Sequence, residues 1–268
     1  MTIHIMDGMA VLRRRFENEM QGPRGVMIDE FARLPRDISV WCFEGQNHLA
    51  ARRKLFPGYK DRPSTMTDGL FALVDVTRRM LQHTRALQVA VPGMEADDVI
   101  AHLAAEHSNA DNVVIYTVDR DLKALEGPNV RVDCGPVKVR LTAGDPTSDV
   151  TIPPEQIRLY KTLVGDTSDR IPGLPGFGPK AYLACRPALL QVAMLALVAG
   201  NREVEPWVRA GMKEATATRL VTADQSALIR AYWNIIGFQT LPSTWQEHIT
   251  VGKLDRAAAD ACLREHMQ

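Results

Sequence analysis

Short apolar runs alternate with helical patterns along the first half of this chain, and three of the runs end on an acid. This alternation limits the fold more than any other feature. Thr2–Met6 stops at Asp7-Gly8, and Ile38–Phe43 (ISVWCF) stops at Glu44-Gly45. Leu87–Val91 is closed by Pro92-Gly93, and the β-branched run Val113–Val118 by Asp119. Between them, Ala10–Met20, Thr67–Arg85 and Glu95–Glu106 carry helical patterns. Strands separated by helices predict an α/β fold, with a mostly parallel central sheet flanked by helices. Val130–Asp133 and Val137–Leu141 bracket Gly135-Pro136 and are expected to form a hairpin.

From Pro153 onward the pattern is helical: Glu155–Val164, then helices around 187–199, 205–220 and 223–237. The boundary is expected near Gly144–Thr151. That gives an α/β core over 1–145, with a basic arm at about 45–66, and a helical subdomain over 146–268. The apolar stretch Ala188–Ala199 is shorter than the ~20 residues of a membrane helix, so no membrane association is expected.

In an open α/β sheet, ligands bind at the carboxyl ends of the strands. Asp7, Glu44 and Asp119 stand just past strands. Glu95, Asp97 and Asp98 open the next helix, and Asp121 follows Asp119 by two residues. Singly, each has an ordinary explanation as a turn residue or a helix-dipole partner. Seven on one sheet edge repel one another, and hard cations relieve that repulsion. Two such ions about 4 Å apart suit phosphodiester hydrolysis.

A second acidic pair, Asp166 and Asp169 in LVGDTSDRIPG, lies in the helical half. Three-residue spacing sets the two on one side of a helical turn. GLPGFGPK follows, with Gly173, Gly176 and Gly178 allowing close backbone approach and Phe177 expected to plug the helical core. A helix beginning near Pro179, with Lys180 beside it, offers N–H groups to a phosphate. The string reads as a helix-hairpin-helix, which grips the DNA backbone without reading bases. The arm interleaves Arg52, Arg53, Lys54, Lys60 and Arg62 with Phe56 and Tyr59, a composition suited to phosphate contact and stacking.

Charge does not advertise such a partner: 32 basic residues balance 32 acidic ones. Clustered metal-binding acids can mask a basic DNA face. Cys42, Cys134, Cys185 and Cys262 form no zinc spacing, and they read as reduced thiols of a cytoplasmic protein.

EADDVIAHLA (95–104), YTVDRDLKAL (116–125) and LVGDTSDRIPGLPGFGPKA (163–181) closely resemble the 5′-nuclease, or flap endonuclease, family. Its members include the nuclease domain of bacterial DNA polymerase I and the phage 5′–3′ exonucleases. LFPGYKDRP (55–63) resembles the family's arm, and the match spans about residues 1 to 240. The resemblance implies a PIN-like core and a helix-three-turn-helix in the helical part. It implies two Mg²⁺ or Mn²⁺ ions. One sits mainly on Asp7, Glu44, Glu95, Asp97 and Asp119, the other on Asp98, Asp121, Asp166 and Asp169. It implies catalytic roles for Asp7, Asp119 and Lys60, stacking by Tyr59, and DNA contacts by Arg52, Arg62, Gly173, Gly176, Gly178 and Lys180. It also implies K⁺ at the glycine hairpin and a monomer acting on DNA with a 5′ flap or 5′ end, or on RNA–DNA hybrid.

Two positions depart from the family pattern. Glu44 stands where the family usually has Asp. Arg62 lies two residues after Lys60 rather than three, about 100° of rotation on a helix. Because the chain ends with the nuclease, a phage enzyme or stand-alone bacterial paralogue is expected. Two alternatives remain at this level: a PIN-type single-strand RNase, and a structure-specific DNA-binding protein with weak or no catalysis.

Overall fold

The computed structural model describes residues 1–18, 22–33, 37–63, 66–142 and 145–266. In chain order the strands are β1 (Thr2–Asp7), β2 (Ile38–Cys42), β3 (Leu87–Val89), β4 (Asn112–Tyr116), β5 (Val130–Asp133), β6 (Lys138–Arg140), β7 (Asp149–Thr151) and β8 (Ile249–Val251). The helices are α1 (Gly8–Glu17), α2 (Gly22–Arg33), α3 (Ala50–Leu55), α4 (Asp68–Leu81), α5 (Ala96–His107), α6 (Ile157–Val164), α7 (Pro179–Leu183), α8 (Pro187–Val198), α9 (Glu205–Arg209), α10 (Glu214–Leu220), α11 (Ala223–Ile236) and α12 (Arg256–His266). Met20, Gly144 and residues 64–65 of the arm, at the edges of expected features, lie outside the described residues.

The chain forms two compact units. One comprises Met1–His48, Pro63–Gly135 and Gln239–Gln268; the other comprises Leu49–Arg62 and Pro136–Phe238. In the first unit a six-stranded sheet runs β5-β4-β1-β2-β3-β8. All its pairings are parallel except β3 with β8. Central parallel strands are covered on both faces, so their side chains are apolar in both directions. Along β2, Val40 and Cys42 enter one layer, while Trp41, with Phe43 just beyond, enters the other. Helix α5 fills the first layer with Val99, Ile100, Leu103 and Ala104. Helices α1, α2, α4 and α12 supply Leu12, Val26, Leu70, Met80 and Leu263 to the second.

The expected hairpin of 130–133 with 137–141 does not form. β5 lies parallel to β4, with Val113 opposite Val130, and β6 pairs antiparallel with β7, Lys138 opposite Thr151. Val130 and Val132 alternate into the core while β6 buries nothing, so only β5 can complete an apolar layer. The helix expected over 205–220 is also broken, into α9 and α10. Gly211 between them has φ of +104°, outside any helical region. Helix α2, β7, β8 and α12 are additions to the elements anticipated from the sequence.

Among the described residues of the second unit, the regular elements are helices and the β6–β7 ribbon. It contains the arm residues Leu49–Arg62. Arg52 is the arm's anchor: it is buried, and its guanidinium donates to the carbonyls of Ile235 (2.8 Å) and Gly237 (3.3 Å) at the end of α11. This corrects its expected role as a DNA contact, because a buried guanidinium engaged with carbonyls is not presented to phosphate. Arg52→Met is expected to lower stability by about 2–4 kcal/mol, through buried carbonyls left without a donor. Arg62→Met, at an exposed position, should cost under about 0.5 kcal/mol. Urea unfolding of the two variants measures the contrast.

Candidate metal and nucleic-acid site

Within the first unit the carboxylates sit where parallel pairing puts them. Asp7 is the last residue of β1, Glu44 follows β2, and Asp119 follows β4. Helix α5 begins from Glu95, with Asp97 and Asp98 in its first turn. Acids there meet the positive end of the helix dipole, which offsets part of their mutual repulsion.

Asp7 is also the N-cap of α1. Its Oδ1 accepts from the Ala10 amide (3.1 Å), and its Oδ2 accepts from the Thr117 hydroxyl (2.7 Å). Glu44 Oε2 accepts from the Ala96 amide (2.9 Å), so its longer side chain reaches the start of α5. Asp119 is exposed, and its Oδ1 accepts from the Asp121 amide (2.9 Å). Cys42 lies beneath. Burial, and then the negative charges of Asp7 and Asp97, push its thiol well above the ordinary range. It is therefore a neutral core group, not a thiolate ligand.

Asp98 departs from its expected place among the ligands. It has no exposed surface, and its two oxygens accept from the amides of Glu95 (3.1 Å) and Gln239 (2.7 Å). Its position three residues after Glu95 makes it the reciprocal partner in a capping box. Asp98 therefore serves as the anchor that ties α5 to the segment starting at Gln239.

The second unit holds the other expected residues. Asp166 follows α6 and pairs with Lys161 (2.5 Å). It also accepts from the Ser168 amide (2.8 Å) and hydroxyl. Burial alone would raise this carboxyl, but the Lys161 ammonium and these hydrogen bonds hold it below the usual carboxylate range. Lys60, at φ of +47°, donates its amide to the Asp169 carbonyl (3.1 Å) and sets its ammonium 4.0 Å from Asp169 Oδ1. Arg53 donates to the carbonyls of Tyr59 (3.1 Å) and Lys60 (3.0 Å), so the Tyr59–Lys60 turn is held from both sides. Tyr59 is buried, with Lys60 Nζ over its ring at 5.2 Å. Its expected stacking on a base is corrected accordingly, because the ring is packed inside its own unit.

Gly173 and Gly176 hold positive φ, and Gly178 is the N-cap of α7 at φ of −91°. Phe177 plugs the core at 4% exposure, while Lys180 is exposed. Thr117 and Lys161 stand outside the residues that the sequence marks. Thr117 lies inside the string YTVDRDL, but a threonine beside acids carries no signal until its hydroxyl is seen to join two of them.

Carboxylates at the carboxyl edge of a parallel sheet, flanked by a capped helix, define a class of acidic α/β domain, and comparison with known proteins names it. Residues 2–145 match the family described as 5′–3′ exonuclease, N-terminal resolvase-like domain. The chain belongs to this 5′-nuclease family. It is 35% identical over 134 residues to a 5′–3′ exonuclease of Aquifex aeolicus, covering 49% of this chain and 46% of that protein. It is 32% identical over 158 residues to DNA polymerase I of Mycobacterium tuberculosis, covering 53% of this chain and 17% of the polymerase. The chain thus spans about half the length of the first relative and under a fifth of the second. Among solved structures, the T5 5′-exonuclease shares the fold at a TM-score of 0.59 and 16% identity, over 100% of this chain and 98% of that one. Human GEN1 shares it at 0.53 and 14%, over 99% and 67%.

Proposed function

We propose that this chain is a divalent-metal-dependent, structure-specific 5′ nuclease. It hydrolyses phosphodiester bonds near free 5′ ends of DNA, as 5′–3′ exonuclease and flap endonuclease, and removes primers and flaps in replication or repair. The observation that carries this reading is the row of carboxylates at one edge of a parallel sheet in a chain of the 5′–3′ exonuclease family. The T5 5′-exonuclease is described with bound divalent metal ions, and the T5 flap endonuclease and GEN1 with DNA.

The donor set fits Mg²⁺ or Mn²⁺, since every candidate ligand is a carboxylate oxygen. Asp7, Asp97, Asp119 and Asp121, with Glu44 and Glu95, would hold ions in the first unit, and Asp166 and Asp169 in the second. When bound, the ions supply activation of water and charge for the leaving 3′ oxygen. The protein's own residues do the rest. The capping bonds aim Asp7 and Glu44, and the Arg53 bonds hold the Lys60 turn. Lys60 adds positive charge beside the scissile phosphate. Arg62, Lys180 and the hairpin glycines Gly173, Gly176 and Gly178 contact the DNA backbone, with K⁺ on the hairpin carbonyls. Residues 1–145 are assigned most of the chemistry, and residues 146–268 most of the grip on duplex. The enzyme acts as a cytoplasmic monomer, on DNA or RNA–DNA hybrid.

The test is cleavage of a 5′-labelled flap duplex with Mg²⁺, Mn²⁺ or EDTA. Cutting near the junction with either metal and none in EDTA is expected. Binding without cutting in every metal would sink the nuclease reading and leave a DNA-binding protein. Equal cutting of single-stranded RNA lacking any duplex would instead favour a PIN-type RNase. In the same assay Lys60→Ala should slow single-turnover cleavage about 10²-fold, with DNA affinity changed far less. A loss seen in affinity alone would remove Lys60 from the chemistry.

A further inference from the structure

Two strand ends carry Asp7 and Asp119, and one hydroxyl joins them. Thr117 lies just past β4 and is 3% exposed. Its Oγ1 donates to Asp7 Oδ2 at 2.7 Å and accepts from the Asp119 amide at 2.9 Å. An ionised carboxylate only accepts and a backbone amide only donates, so both directions are set by chemistry. The hydroxyl's single proton is committed to Asp7.

A chain of bonds results. The Ala10 amide holds Asp7 Oδ1, Thr117 holds Asp7 Oδ2 and the Asp119 amide, and Asp119 Oδ1 holds the Asp121 amide. Each engaged oxygen keeps a second lone pair for a cation. Asp7, gripped from α1 and from the end of β4, has its carboxylate plane set before any ion arrives. Asp119 has the start of its turn set by the same hydroxyl. Preorganisation of this kind strengthens binding, because less side-chain freedom is lost when the ligand enters.

We infer that Thr117 is a positioning residue of the metal site: through Asp7 and Asp119 it sets the affinity of the sheet edge for a divalent cation. This rests on the nuclease reading above. One effect opposes it, since a hydrogen bond to Asp7 makes that carboxylate a weaker base. Orientation outweighs basicity, because removing outer partners of metal ligands typically costs about 10–100-fold in metal affinity or activity.

The experiment compares wild type, Thr117→Val, which keeps the shape without the hydroxyl, and Thr117→Ser, which keeps the hydroxyl. Mn²⁺ alone is titrated without DNA, and free ion is followed by electron paramagnetic resonance. Thermal unfolding in EDTA is recorded beside it. Thr117→Val should weaken Mn²⁺ binding about 10–100-fold, while Thr117→Ser stays within about threefold of wild type. Thr117→Ala serves the same comparison, with the same expected loss, if valine prevents folding. Folded Thr117→Val that binds Mn²⁺ like wild type overturns the inference and leaves the nuclease reading standing. Thr117→Ser as weak as Thr117→Val also overturns it, since the hydroxyl is then not the agent. Wild type that binds no Mn²⁺ removes the nuclease reading itself, and the inference with it.

Discussion

Replacing Asp119 with asparagine is expected to lower single-turnover flap cleavage by about 10³-fold or more, a change of roughly 4 kcal/mol in barrier, while leaving the fold intact. The structure separates the two effects. Asparagine keeps an oxygen that can accept from the Asp121 amide, the bond now made at 2.9 Å. The bond from Thr117 runs to the backbone amide of Asp119, so it survives the change. Asp119 is exposed, and no core packing depends on it. What is lost is one negative charge at the proposed cation site, and a neutral amide is a poor substitute for a carboxylate toward Mg²⁺. Cleavage rate and melting temperature measured on one preparation decide the matter. A tenfold loss or less would take Asp119 out of the ligand set. A large fall in melting temperature would make the residue structural.

The second large effect is on stability. Gly173→Ala should cost about 3 kcal/mol or more, from left-handed strain and backbone collision together. Gly173 has φ of +70°, and a Cβ there would stand 2.5 Å from both the Gly165 nitrogen and the Val164 carbonyl carbon. These are main-chain atoms that cannot swing aside. The collision falls where the loop closes on α6. The Leu174 amide donates to the Leu163 carbonyl (2.8 Å), and Asp166 and Ile171 exchange backbone bonds of 2.7 and 2.8 Å. Asp166 is held by this closure, so the variant should also loosen the Asp166–Asp169 turn. Gly178→Ala is the control: φ there is −91°, and nothing lies within 4 Å of the added carbon. Urea denaturation of the two variants should differ by more than about 2 kcal/mol; equal midpoints would show that the loop yields.

Much of this was legible in the residues. The acids at the ends of β1, β2 and β4 lie at one sheet edge because parallel pairing aligns strand ends, and the alternation of strand and helix forecasts parallel pairing. The capped start of α5 follows from three acids before an apolar run. Phe177 between glycines forecasts a plug, and it is buried. Side-chain roles were less legible where a charge has two uses. Arg52 among arm basics looks like a phosphate contact, yet it is an internal clamp. Asp98 beside Asp97 looks like a ligand, yet it binds amides 3 and 141 residues away in sequence. Composition is the same in either use, and only the partners distinguish them.

The sequence by itself determined the strand–helix alternation, the strand-end acids and the glycine positions, because periodicity and backbone freedom are local properties. Tertiary structure decided that β5 joins β4 rather than β6. It decided that residues 239–268 complete the first unit and that 49–62 belong to the second. It also decided that Thr117 binds Asp7 across 110 residues. Each is a choice between partners distant in the chain, settled by which apolar face completes a layer and which buried polar atom finds its donor.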